Sequence, residues 1–211
     1  MMRTNYQKWL DRELEQIRQN GKTPRLLLHV CCAPCSSYVL EYLSRYFHIT
    51  VQFFNPNISP ASEYHHRAEE LKRLIQAMPL QNPVDCVISP YSPEQFAVIA
   101  QGREHLSEGG ERCTDCYRLR LEEAARMAKE GGYDYFTTTL SISPLKDAER
   151  LNAIGKELAE QYGVPYLFSD FKKREGYKRS IQLSADYQLY RQDYCGCIYS
   201  KRDAINRKKS H

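Results

Sequence analysis

Short apolar runs alternate with longer amphipathic segments along most of the chain. The short runs are rich in leucine, valine and aromatic residues and have the length of β-strands; they cover 26–30, 51–55, 85–90, 133–140 and 164–170. The longer segments place apolar residues three or four positions apart, which is the spacing of one buried face of an α-helix; they cover 38–47, 61–77, 94–100, 117–130 and 147–162. Gly131 and Gly163 follow two of the helical segments, where glycine commonly ends a helix.

The regular order of strand and helix predicts an α/β fold. Parallel strands are joined by right-handed helical crossovers, so we expect a doubly wound, mostly parallel sheet of the HUP or Rossmann type with helices on both faces. The 211 residues suit a single domain. We predict an N-terminal helix within 1–24, a parallel core over 25–170 and a helical, basic C-terminal part over 171–211. Such sheets bind ligands beyond the carboxyl ends of their strands, so a site is expected after the first strand.

Composition limits the environment in which the chain acts. The N-terminal residues are polar and lack the apolar region of a secretory signal, and no apolar stretch is long enough to span a bilayer. We therefore expect a soluble, cytoplasmic protein that does not bind membranes. The formal net charge of +4 permits a nucleic-acid partner without requiring one. Clustered thiols in a reducing compartment indicate metal or redox chemistry, and seven of the eight cysteines are clustered. Cys86 lies alone in a strand-like run and is expected to be a buried structural thiol.

The first predicted strand ends in the sequence HVCCAPC, where nucleotide-binding proteins of this architecture carry a glycine-rich phosphate loop. Cys31, Cys32 and Cys35 stand in the place of that loop. Cys113 and Cys116 form a second group, C-x-x-C, near the start of a helix, whose N-terminus stabilises thiolates. Thiolates from two loops can hold an iron–sulfur cluster or a structural zinc ion. A zinc site made of two C-x-x-C pairs would leave Cys31 without a role, so the spacing favours the cluster.

The third cysteine group, Cys195 and Cys197, is separated by a single glycine. A disulfide between them would close a very small ring and remove little entropy from the unfolded chain, so it would stabilise the fold little. Small strained disulfides are easily reduced. The pair is therefore interpreted as a redox dithiol, with two further metal ligands as the alternative. A metal centre and a redox dithiol in one small protein suggest a reductase.

A short basic stretch with interleaved aromatic residues follows the last predicted strand. Its cationic residues are Lys172, Lys173, Arg174, Lys178 and Arg179. Cations that contact phosphates and aromatic rings that stack on unpaired bases suit an RNA partner. The alternative for so short a run is an ordinary solvated loop.

Five motifs carry a resemblance to a known family. HVCCAPC, RCTDCYRLRL, TTTLSISPLKD, FKKREGYKRSIQLS and YRQDYCGC occur in this order, and together they resemble the epoxyqueuosine reductases of the QueH type. The resemblance extends from about 25 to about 200 and is far more specific than any single C-x-x-C.

The resemblance implies an oxidoreductase of tRNA queuosine biosynthesis. Such an enzyme reduces epoxyqueuosine at the wobble position of tRNA to queuosine, without cobalamin, with electrons from a separate donor. The resemblance also implies that Cys31, Cys32, Cys113 and Cys116 hold a [4Fe–4S] cluster and that Cys195 and Cys197 form a redox-active disulfide. For Cys35 two roles stay open: a ligand of an additional iron, or a spare thiol near the cluster.

Two other functions remain as alternatives to the reductase. The first is a zinc-stabilised tRNA-binding module without catalysis, which zinc without acid-labile sulfide would favour. The second is an ATP-dependent RNA thiolation enzyme of the same architecture. It ranks last because it needs a phosphate loop after the first strand, and the cysteines occupy that position.

Overall fold

The computed structural model describes residues 4–209, which form an α/β structure around one sheet. Four strands, all parallel, are arranged in the order β3–β2–β1–β4; they are β1 Arg25–His29, β2 His48–Phe53, β3 Val84–Ile88 and β4 Tyr135–Thr138. The helices are α1 Tyr6–Gln19, α2 Ala33–Leu43, α3 Ala61–Ala77, α4 Pro93–Ala100, α5 Glu111–Glu130, α6 Ala148–Tyr162, α7 Gly176–Asp186 and α8 Ile198–Lys209, with a short 3-10 helix at Thr139–Ile142. The predicted doubly wound parallel fold is confirmed, including a helical C-terminal part.

The central strand β1 divides the core into two halves. Its three leucines are fully buried and alternate between the faces of the sheet. Leu26 and Leu28 pack with apolar side chains of α1, α2 and α3, whereas Leu27 packs with those of α5 and α6. The helices therefore cover both faces, and the carboxyl ends of β1 and β4 open on the same edge of the sheet. None of the helices that the structure describes is long and apolar enough to cross a membrane.

The run 164–170 does not form the fifth strand that its apolar pattern predicts. It pairs with β4 through a single parallel bridge between Tyr166 and Phe136. Beyond this bridge, side chains take the hydrogen bonds of its backbone: Thr137 Oγ1 donates to the carbonyl of Leu167 at 2.8 Å. The Asn152 side chain bonds both the N–H and the C=O of Ser169, at 3.0 and 2.9 Å. These side-chain bonds satisfy backbone N–H and C=O groups of the segment, so these groups need no partner strand.

Two helices begin earlier than their apolar spacing predicts, and both early starts involve cysteines. Helix α2 begins at Ala33 rather than at residue 38, with a proline in its first turn, where the missing N–H of proline costs nothing. Helix α5 begins at Glu111 rather than at residue 117. Cys113 and Cys116 consequently lie on the first two turns of α5, and Cys32 is the residue that caps α2.

Candidate active site

A cavity of about 340 Å³ opens beyond the carboxyl ends of β1 and β4. Three segments supply most of its wall: the turn from β1 into α2, the segment that follows β4, and the stretch that precedes α8. Residues of α5 and α7 and Glu108 complete it. Cysteines from the first and third segments line its wall, namely Cys31, Cys32, Cys35 and Cys195. The position agrees with the edge of the sheet at which a site is expected.

Cys31, Cys32 and Cys35 form a compact thiol group. Their sulfur atoms all lie within 4.8 Å of one another, and Cys31 Sγ is 3.7 Å from Cys32 Sγ. Hydrogen bonds from the two neighbouring thiols hold the pKa of Cys32 well below its usual range. The same bonding raises the pKa of Cys31 to about 12 and that of Cys35 well above the ordinary value. Three sulfur atoms this close together could hold a metal ion.

Cys113 and Cys116 are buried on the first two turns of α5. Cys113 Sγ accepts a hydrogen bond from the backbone N–H of Gly109 at 3.3 Å. Burial raises the pKa of Cys116 to about 11, against the opposing effect of Arg120. Neither cysteine joins the 4.8 Å group, which takes in Cys35 instead. The four-cysteine ligand set implied by the resemblance therefore remains a prediction.

Cys195 and Cys197 are both free thiols, held in different surroundings. Cys195 lines the cavity, and Asn57 Nδ2 donates to its sulfur at 3.8 Å. Cys197 is buried, and its sulfur accepts the backbone N–H of Ser200 at 3.3 Å. A hydrogen bond from Cys197 holds the pKa of Cys195 well below its usual range, and the same bond raises the pKa of Cys197. A thiolate beside a thiol is the arrangement from which a disulfide forms on oxidation.

The glycine between these cysteines has a steric reason. Gly196 has a φ of +124°, which side chains other than hydrogen rarely tolerate. A Cβ at this position would lie 2.9 Å from Ile58 Cγ1 and 3.1 Å from Arg67 Nη1. The glycine therefore lets the C-terminal segment approach the buried Arg67 closely enough to bring Cys195 to the cavity.

Three buried cations surround the thiols, and the sequence interpretation missed them. Arg67, Arg120 and Lys146 are 1%, 1% and 8% exposed. Lys146 pairs with Glu108 at 3.0 Å, and Arg67 pairs with Glu63 at 2.7 Å. Burial lowers the pKa of Arg120, but the neighbouring sulfurs outweigh this effect and leave the pKa raised. A signal was present in the sequence: both arginines occupy positions on the apolar face of their helix.

The sequence profile of the family described as epoxyqueuosine reductase QueH matches residues 26–203. The chain belongs to this family. The range includes all three cysteine groups and the basic stretch, and the QueH family name denotes oxidoreductases, which confirms the prediction of an enzyme.

Two curated QueH relatives show how far the similarity extends. The epoxyqueuosine reductase QueH of Staphylococcus epidermidis is 42% identical over 200 residues, which cover 93% of this chain and 84% of the relative. That of Thermotoga maritima is 35% identical over 198 residues, which cover 88% of this chain and 98% of the relative. Among solved structures, the NMN synthetase from Francisella tularensis superposes with a TM-score of 0.42 at 12% identity, covering 98% of this chain and 93% of that one.

The donor set of the site fits a thiolate-bound metal centre. Sulfur ligands select zinc or iron–sulfur clusters over hard cations such as magnesium. Thiolate centres carry net negative charge, and a buried negative charge requires compensation. Arg120 Nη2 and Arg67 Nη2 are buried and have no hydrogen-bond partner among the described residues. These unpaired N–H groups beside the sulfurs supply the compensation that such a centre needs.

The basic stretch predicted to bind RNA lies close to the cavity, but most of its charges are paired. Lys172 Nζ is half-buried; it donates to the carbonyls of Ser141 and Lys146 and lies 3.0 Å from Asp170. It therefore braces the segment that follows β4. The other pairs are Arg174 with Asp11, Lys178 with Glu175 and Arg179 with Glu41. Lys173 is exposed. Exposed ion pairs are weak enough to exchange partners for a phosphate, and RNA binding here remains a prediction.

Cys86 is less buried than the expected buried structural thiol. It lies on β3, one of the two edge strands of the sheet, and is half-buried. An edge strand has a neighbour on one side alone, which leaves part of the thiol accessible. Burial still raises the pKa of Cys86. Because it stands apart from the cavity wall, it is a suitable control position for the clustered cysteines.

Proposed function

We propose that this protein reduces epoxyqueuosine in tRNA to queuosine, with a [4Fe–4S] cluster and a redox dithiol as its electron carriers. Membership of the QueH family supports the reaction. The single structural observation that carries the proposal is the meeting of thiols from separate segments, together with buried cations, at one cavity. Such a meeting has no structural purpose in a chain whose core is already well filled, and it suits electron transfer.

The reaction defines what the site has to supply. Turning the epoxide into an alkene breaks both of its C–O bonds, consumes two electrons and two protons, and releases the oxygen as water. Oxidation of the Cys195–Cys197 pair supplies the right number of electrons: one S–S bond forms, two electrons leave, and Cys197 gives up its proton. The second proton comes from solvent. The resulting disulfide has to be reduced again by an external electron donor before the next turnover.

The proposed ligands of the cluster are Cys31, Cys32, Cys113 and Cys116. When bound there, the cluster would supply one electron at a time at the wall of the cavity. Cys35 lies among these thiols, either as a ligand of an additional iron or as a spare thiol. The buried Lys146 brings a positive charge to the same wall, where it can hold the oxygen of a polar substrate.

The substrate class also implies the surroundings of the protein. A tRNA partner is consistent with the net charge of +4 and with the basic stretch next to the cavity. Because tRNA is modified where it is made and used, we infer that the protein acts in the cytoplasm and not at a membrane.

The proposed activity is tested directly on tRNA that carries epoxyqueuosine. Anaerobically purified protein, given a low-potential chemical reductant, should convert the modified nucleoside to queuosine, as measured by mass spectrometry of the digested tRNA. A zinc-loaded, colourless protein that binds the tRNA without converting it would contradict the proposal and favour the zinc-stabilised binding module. Conversion that requires ATP or adds sulfur would favour the thiolation enzyme.

A second test concerns the RNA-binding stretch. Changing Lys173, Arg174 and Lys178 together to alanine should weaken tRNA binding. The slope of the logarithm of the binding constant against the logarithm of the salt concentration should become shallower by about two, because each lost phosphate contact removes roughly 0.7–0.9 from that slope. Lys172 is left intact because it braces the cavity segment.

The matched control is Lys156→Ala, on the exposed side of α6. It should leave the salt dependence of tRNA binding unchanged. A triple variant with the salt slope of the unmodified protein would show that these cations do not contact the tRNA.

A further inference from the structure

Arg120 occupies a position that the proposed reaction does not by itself explain. It is 1% exposed and lines the cavity together with Cys31 and Cys195. Its Nε donates to the carbonyl of Cys116 at 3.1 Å, and Nη1 reaches Asn55 Oδ1 at 3.4 Å. Nη2 is buried and has no hydrogen-bond partner among the described residues. A buried, incompletely bonded guanidinium is costly unless negative charge stands beside it.

Three cysteines lie next to Arg120. Cys31 and Cys195 line the same cavity wall, and the backbone carbonyl of Cys116 accepts the hydrogen bond from Arg120 Nε. As thiolates, in a metal centre or in the reduced dithiol, their sulfurs would supply the negative charge that a buried guanidinium needs. They belong to three different segments: α5, the C-terminal stretch and the turn after β1. Two of them are proposed ligands of the metal centre, and the third, Cys195, is the half of the redox dithiol that lines the cavity. One cation thus faces both electron carriers at once.

We infer that Arg120 is a counter-ion shared by the metal centre and the Cys195–Cys197 dithiol, and that it raises the reduction potentials of both together. This inference rests on the proposed function. In each carrier the reduced form is the more negative one: the metal centre gains an electron, and the disulfide becomes a dithiol with a thiolate at Cys195. A positive charge beside both therefore favours both reduced forms.

A shared counter-ion has a consequence for the reducing strength of the two carriers. Because the same charge favours the reduced form of both carriers, it shifts both potentials in the same direction. Loss of this charge should therefore make both carriers stronger reductants together. The oxidation step remains balanced: the dithiol forms one S–S bond and loses two electrons and one proton, and the epoxide substrate accepts the electrons.

The decisive variant is Arg120→Gln, which removes the charge and keeps polar atoms of similar reach. In metal-free protein equilibrated with glutathione buffers, it should shift the Cys195–Cys197 equilibrium toward the disulfide by about tenfold. In the iron-loaded protein, the midpoint potential of the metal centre, followed by visible absorbance and electron paramagnetic resonance, should become more negative. Arg120→Lys keeps the charge and should keep most of both values.

Asn57→Ala provides the contrast, because among the described residues the side-chain amide of Asn57 donates to Cys195 Sγ and to no other clustered sulfur. It should shift the dithiol equilibrium toward the disulfide and leave the midpoint potential of the metal centre in place. A shift of only one carrier in Arg120→Gln, or equal values in Arg120→Gln and the unmodified protein, would overturn the shared counter-ion. Circular dichroism and thermal melting would confirm that each variant is folded.

Failure of the proposed function can be told apart from failure of this inference. If the protein binds zinc and no iron, the proposed reaction is wrong. The zinc affinity, measured by competition with a chelator, is then the readout instead of the midpoint potential. Arg120→Gln should then weaken zinc binding by about tenfold while shifting the dithiol equilibrium as before. An unchanged zinc affinity would contradict the inference in that case.

Discussion

Replacing either Cys195 or Cys197 with serine should lower multiple turnover on epoxyqueuosine-containing tRNA by at least about 100-fold, as expected when a group that takes part in the chemistry is removed. The bound iron should stay near the level of the unmodified protein. The reason is geometric: the two sulfurs are next to each other in different surroundings, one at the cavity and one buried. Their disulfide would also add little stability, so their value is chemical.

Iron content and turnover have to be measured on the same sample of each variant. Cys86→Ser is the control, since it removes a half-buried thiol outside the cavity and should keep both iron and activity. A single partial turnover by pre-reduced Cys195→Ser is compatible with the prediction, because the metal centre can be loaded beforehand. Loss of iron in both serine variants would identify these sulfurs as metal ligands, and full turnover in both would remove them from the reaction.

The fold could be predicted from the sequence because it depends on local patterns. The leucines of β1 and the spaced apolar residues of α5 and α6 each bury a face, and burial is the main force that selects the architecture. The segment 164–170 shows the limit of such patterns. Its apolar residues resemble a strand, but Asn152 and Thr137, distant in sequence, bond its backbone and end its pairing after one bridge.

The candidate site could be predicted only as far as its thiols. Cysteine is rare enough for its spacing to be informative, so the three groups stand out in the sequence. Arginine and lysine are common and usually exposed, so Arg67, Arg120 and Lys146 become visible as site residues only once their burial is known. The basic stretch shows the opposite case. Its cations are clustered in sequence, but four of the five pair with acids, and two of these pairs reach other helices: Arg174 with Asp11 and Arg179 with Glu41.

Replacing Cys113 or Cys116 with serine should remove the metal centre and its brown colour. Unmodified protein, purified anaerobically, is expected to carry about four irons with a matching amount of acid-labile sulfide. Each iron of such a cluster takes one protein thiolate, and the proposed set consists of the two cysteines of α5 with Cys31 and Cys32. Serine is a much poorer ligand for iron than thiolate. Iron, sulfide and zinc analysis of each variant provides the measurement.

Cys35→Ser distinguishes the proposed ligand set from a set in which Cys35 is a ligand of the cluster. Cys35 lies within 4.8 Å of Cys31 and Cys32, yet the proposed set of four excludes it, so the variant should retain about four irons and lose at most one additional iron. If Cys35→Ser is colourless while Cys113→Ser stays brown, Cys35 holds the cluster and the ligand set proposed here is wrong. Stoichiometric zinc in unmodified protein that remains colourless after anaerobic reconstitution would remove the cluster altogether. Cys86→Ser should match the unmodified protein in iron and sulfide, because its thiol lies on β3 at an edge of the sheet, outside the three cysteine groups.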